Sequence, residues 1–132
     1  MTPNQQVEAW AKKAASWFER NGATPKAALQ FARLYGYAAV QGLKPRPTSI
    51  FRDPAKQKAM QAAWDAGNRT GLRARPASSS LHTETGFLGK PASRALDMPG
   101  GNDRAVASIA RSLGLGTGES FKSPDHGHYF LP

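Results

Sequence analysis

The chain has 132 residues, enough for one modest hydrophobic core and too few for two. Its 18 Lys plus Arg against 9 Asp plus Glu leave a net charge of +9, a field that draws polyanions such as nucleic acid, anionic lipid, lipopolysaccharide or teichoic acid. It has no Cys, which excludes a disulfide scaffold and a thiolate metal site, and no apolar run approaches the length that spans a bilayer.

Thr2-Pro3 is a helix start, a capping hydroxyl followed by Pro at the first helical position. Val7, Trp10, Ala11, Ala14, Trp17 and Phe18 then recur at helical spacing, so the two tryptophans are expected in the core; their other reading is wall binding. Asn21-Gly22 ends this helix and Thr24-Pro25 opens a second. That one carries the stripe Ala28, Phe31, Ala32, Tyr35 and Ala38 and stops at Gly42, before Lys44-Pro45-Arg46-Pro47. Residues 1–45 thus read as an antiparallel helical pair, too small to stand alone and expected to pack on residues 47–132 in a single domain.

Beyond the prolines, Thr48 to Phe51 reads as a short strand. Asp53-Pro54 caps a third helix with Met60, Ala63 and Trp64 inward and Gly67 at its end. Residues 68–79 form a basic loop with Arg69, Arg73 and Arg75. Ala95 to Asp97 closes a short strand, and a helix from about Asp103 to Leu113 buries Val106, Ile109 and Ala110. Residues 119–122 and 129–131 are expected to be strands that pair. The class is α+β, helices packed on one side of a small, mostly antiparallel sheet.

The three histidines are His82, His126 and His128. Two imidazoles and an aspartate such as Asp97 would make a zinc set with an open fourth position, the arrangement of catalytic rather than structural zinc. Each residue also has a plainer reading. Asp125 is a turn residue after Pro124, Arg52 is one of many surface arginines, and His126 faces solvent. The basic residues are dispersed, only Lys12-Lys13 being adjacent. No nucleic-acid motif is present, so no nucleic-acid partner is expected.

The order Ser80-x-His82, Ala95-x-Asp97 and Asp125-x-Gly127-His128 resembles the zinc D,D- and L,D-peptidases of peptidoglycan. These include D-Ala-D-Ala dipeptidases and carboxypeptidases and phage L-alanyl-D-glutamate endolysins, and they share a fold with the Hedgehog signalling domain. Thr48 to Pro54 followed by Gln57 is similar to that family's strand, arginine and helix start, so the likeness runs from about Pro47 to Pro132. It implies a Hedgehog/D,D-peptidase-like fold and a zinc ion on His82, Asp97 and His128. It also implies Asp125 as general base, Arg52 as oxyanion stabiliser, and Ser80 and Gln57 beside the substrate.

Asp97 follows His82 by fifteen positions, further than is usual in the family, which implies a loop inserted around Phe87 to Ser93. Glu84, nearer in sequence, is the other candidate for second ligand. The implied substrate is the peptide stem of peptidoglycan, cut between L-Ala and D-Glu. The other branches are D-Ala-D-Ala cleavage and a non-catalytic, cationic wall-binding module. The residues 1–13 lack a signal-peptide layout. The expectation is therefore a monomer made in the cytoplasm that reaches the anionic envelope after release.

Overall fold

The computed structural model describes residues 1–68, 80–122 and 124–132; of the basic loop expected from Asn68 to Ser79, residues 69–79 lie outside them. Two long helices come first, α1 (Pro3–Arg20) and α2 (Pro25–Val40). Thr2 caps α1 reciprocally: its hydroxyl accepts from the Gln5 N–H at 3.1 Å while its own N–H donates to Gln5 Oε1 at 2.8 Å. Thr24 caps α2 through the Ala27 N–H at 3.1 Å, and Asp53 caps α3 (Pro54–Asp65) through Ala55 at 2.8 Å. Each of the three helices carries Pro in its first turn, where the missing N–H costs nothing.

α1 and α2 lie antiparallel, with Val7 against Gly36 and Phe18 against Phe31. Ala27, Ala28, Ala32, Gly36 and Ala38 of α2 are buried, and such small side chains let helices approach closely. Only Val7, Ala11 and Phe18 of α1 are buried in that seam. This corrects the expectation for the tryptophans: Trp10 and Trp17 fall to the side of the seam and are 43% and 44% exposed. In α3 only Gln57 is buried, while Met60, Ala63 and Trp64 are half-buried.

The sheet has three antiparallel strands, β1 (Ala95–Asp97), β2 (Gly116–Thr117) and β3 (His128–Phe130), in the order β1-β3-β2. Leu96 faces Tyr129 and Asp97 faces His128 across β1 and β3. Because side chains alternate along a strand, one face presents Leu96 and Tyr129 to the core and the other presents Asp97, His128 and Phe130. The core face packs on helix α4 (Asp103–Ser112) and on α1 and α2. Phe18, Phe31, Leu34, Ile50, Leu96, Met98, Val106 and Tyr129 join one cluster. The mixed α+β class is therefore as expected.

Two predicted strands differ. Thr48 to Phe51 forms no strand but a single bridge, Ser49 to Asp97, with the Asp97 N–H donating to the Ser49 carbonyl at 2.8 Å. Residues 119–122 do not pair either. A 3₁₀ turn occupies Gly118–Ser120, because the Gly118 carbonyl accepts from the Asp125 N–H at 2.9 Å and folds the chain back. Pairing with β3 falls instead to β2, two residues earlier.

Gly116 is required by packing. A Cβ there would stand 2.2 Å from the Phe130 ring, so the ring lies across β2 only because the side chain is absent. Gly116→Ala is expected to destabilise the fold by about 1–3 kcal/mol, the usual cost of overpacking. Urea titration should show most of that loss disappearing in a Phe130→Ala background, since the two sites share one clash.

Candidate metal centre

Three separate segments build the centre. The first is a single 3₁₀ turn, Leu81–Thr83, opened by Ser80, whose hydroxyl accepts from the His82 N–H at 3.1 Å and whose carbonyl accepts from Thr83 N at 3.0 Å. The His82 carbonyl in turn accepts from Arg52 N at 2.8 Å, joining this turn to the segment before α3. The second is β1, which ends at Asp97. The third is β3, which starts at His128 directly opposite.

His82 is 3% exposed. Its Nδ1 lies 2.6 Å from the Ile50 carbonyl. A carbonyl can only accept, so Nδ1 carries a proton, which leaves Nε2 as the ring nitrogen that faces the centre. That Nε2 has no hydrogen-bond partner among the described residues, although Asp97 Oδ1 is 3.3 Å away. At that separation a proton or a metal ion between the two atoms would join them. His128 Nδ1 approaches the same oxygen at 2.9 Å, and one ligand atom from each of His82, Asp97 and His128 lies within 4.8 Å of the others.

This donor set fits zinc. Two ligands of one tetrahedral zinc, each at about 2.0–2.1 Å, stand roughly 3.3 Å apart, as His82 Nε2 and Asp97 Oδ1 do. The hydrogen bond from His82 Nδ1 to a backbone carbonyl is the usual outer-shell support of a ligating imidazole. Burial raises the Asp97 carboxyl pKa, but the 2.9 Å hydrogen bond with His128, the stronger of its two imidazole contacts, helps outweigh it and hold the group well below the usual carboxylate range. Asp97 is thus an anion throughout the neutral range.

Around this set stand the other predicted residues. The Arg52 guanidinium is 3.6 Å from Asp97 Oδ2 and donates to Gln57 Oε1 at 2.8 Å. Gln57, expected beside the substrate, therefore aims Arg52. Ser80, given the same expectation, acts through the His82 turn. Asp125 sits at the rim, its side chain 54% exposed and its Oδ2 4.0 Å from His128 Nδ1. His126 points away, 3.4 Å from Glu119.

Glu84 is not in the cluster. Arg94 grips it with two bonds of 2.8 and 2.9 Å, which lower its pKa and occupy both oxygens. The residues between Glu84 and Ala92, where an inserted loop is expected from the resemblance, form an outward excursion closed on itself. Gly86 N donates to Lys90 O at 2.8 Å and Ala92 N to Glu84 O at 2.9 Å, so the excursion closes before β1 and leaves Asp97 opposite His128.

Sequence reasoning missed two supports. The Ile50 carbonyl is a backbone group with no side-chain signature. Ser93 is fully buried, and its hydroxyl donates to that carbonyl at 2.9 Å or to Ala95 O at 3.1 Å. Phe121 and Phe130, stacked at 5.8 Å and each within 6 Å of the His128 ring, wall one side of the centre. Comparison with protein-family models finds no match, and comparison with curated proteins finds none either.

The purified protein is expected to carry about one zinc per chain. His82→Ala and His128→Ala should each release it, since two remaining ligands leave a weak site; metal analysis by mass spectrometry decides, and full zinc in both variants refutes the ligand set. In the metal-free protein, the depressed Asp97 pKa stabilises the fold above its unfolded value of about 3.9. That stability should vanish as pH falls through the lower folded value. Acid titration of Asp97→Asn, followed by circular dichroism, should accordingly show a flatter decline below about pH 4.

Proposed function

We propose that this chain is a zinc-dependent peptidase that hydrolyses the peptide stem of peptidoglycan, with the bond between L-Ala and D-Glu as its target. The observation that carries the metal part is the buried, unpartnered Nε2 of His82 beside Asp97 and His128. The substrate part rests on the resemblance of the Ser80-x-His82, Ala95-x-Asp97 and Asp125-x-Gly127-His128 motifs to the peptidoglycan peptidases, whose Hedgehog-like fold the reading adopts. The stem peptide and the anionic envelope are the proposed partners of a monomer acting at the cell wall.

Zinc on His82, Asp97 and His128 would supply a Lewis acid that makes water acidic enough to serve near neutral pH. The protein's own groups do the rest. The Asp125 carboxylate, exposed and beside His128, accepts a proton from the attacking water. The water oxygen bonds to the amide carbon, the C–N bond breaks, and Asp125 returns the proton to the departing amine. Arg52, aimed by Gln57, places positive charge where the carbonyl oxygen gains negative charge. Asp97 Oδ2 neutralises part of that charge at rest, so Arg52 contributes as a member of a pair.

Asp125→Ala should keep zinc and fold but lose about 10²–10⁴ in rate, the typical worth of a general base. The loss should fall on kcat rather than KM, because the proton moves in the transition state. Mass analysis of digested peptidoglycan should find new N-termini on D-Glu. Released D-Ala or D-Ala-D-Ala would move the activity to the other branch, and zinc-loaded protein that binds wall but cuts nothing would make it a binding module.

A further inference from the structure

The exposed flank of α1 has no part in the centre just described. At 100° per residue, Trp10, Lys13, Trp17 and Arg20 fall on one arc of roughly 80°, and all four are exposed. The two tryptophans are about 10.5 Å apart along the axis. Neither is loose. Trp10 stacks on Tyr35 at 5.8 Å and lies over Gly36, while Trp17 stands edge-on to the buried Phe18 at 5.0 Å. Arg20 donates to Ser16 at 3.2 Å. The carboxylates of α1, Glu8 and Glu19, lie on the far side of the helix, and Glu8 is turned onto Arg33 and Tyr37.

We infer that this arc is a docking surface for an anionic phospholipid bilayer, which it meets side-on. Indole rings prefer the headgroup boundary, where an apolar body and an N–H donor are both satisfied. Lys13 and Arg20 flank them as cations facing lipid phosphates, and the net charge of +9 draws the protein to such a surface. The arc, which also includes the exposed Gln6, offers cations and no carboxylate, a charge match to lipid phosphates. No described helix is long and apolar enough to cross a membrane, so the contact is interfacial. The inference does not depend on the zinc reading.

The test uses the full chain and vesicles of phosphatidylcholine, with or without an equal share of phosphatidylglycerol, at about 0.1 M salt, where screening acts beyond roughly 10 Å. Co-sedimentation should show binding at least about tenfold tighter to the anionic vesicles, with a blue shift of tryptophan emission. Trp10→Ala/Trp17→Ala should weaken binding roughly tenfold or more, and Lys13→Glu/Arg20→Glu, at exposed positions that leave the seam intact, should do the same. Lys56→Glu/Lys58→Glu on α3 makes the same change in net charge and should cost much less. Equal loss in both charge-reversed variants would reduce the effect to net charge and overturn the assignment. So would equal binding to both vesicle types, or tryptophan-dependent binding to isolated peptidoglycan with none to vesicles.

Discussion

The centre depends on one hydrogen bond, from His82 Nδ1 to the Ile50 carbonyl. A neutral imidazole can place its proton on either nitrogen, and with Nδ1 protonated it is Nε2 that faces Asp97 and His128. Ile50 is itself buried, and its carbonyl is also a partner of the Ser93 hydroxyl. The acceptor is therefore held from the core side before His82 reaches it. Arg52 N, bonded to the His82 carbonyl, closes the same link from the other direction.

From that link the rest of the site follows by alternation along two strands. Asp97 and His128 are directly paired in β1 and β3, so their side chains leave the sheet on the same face, while Leu96 and Tyr129 turn to the core. The buried side of the sheet holds the strands in register and the open side carries the cluster of Asp97 and His128. Register is strict because a slip of one residue would exchange the two sets. Gly127, with φ of 83° and Pro99 where a Cβ would stand, permits the turn that delivers His128 to its pairing position.

The electrostatics divide along similar lines. Three partly buried carboxylates are paired: Asp97 with two imidazoles and Arg52, Glu84 with Arg94, Glu8 with Arg33. Cations outnumber them two to one across the chain. The surplus positive charge is consequently left on the surface, Lys13 and Arg20 of α1 among its carriers. The net charge is thus a property of the outer face, while the centre is governed by local pairs.

Much of the fold could be read directly from residues that act locally. Thr2-Pro3, Thr24-Pro25 and Asp53-Pro54 set helix starts through caps and a fixed φ, which need no distant partner. The three-residue composition of the centre was also legible, because the chain has few histidines and Asp97 ends a recognisable short strand. What the sequence by itself could not determine was decided by contacts between remote segments. Trp10 and Trp17 have core spacing, yet the close approach of Gly36 and the alanines of α2 narrows the seam and leaves them outside. Residues 119–122 have strand composition, yet the Asp125 N–H captures the Gly118 carbonyl first. Between Glu84 and Asp97 the choice of ligand was open in sequence. It closed only in space, where Arg94 occupies Glu84 and the paired strands hold Asp97 against His128, because helix starts are settled within a few residues but a ligand's place is settled by which partner reaches it across the fold.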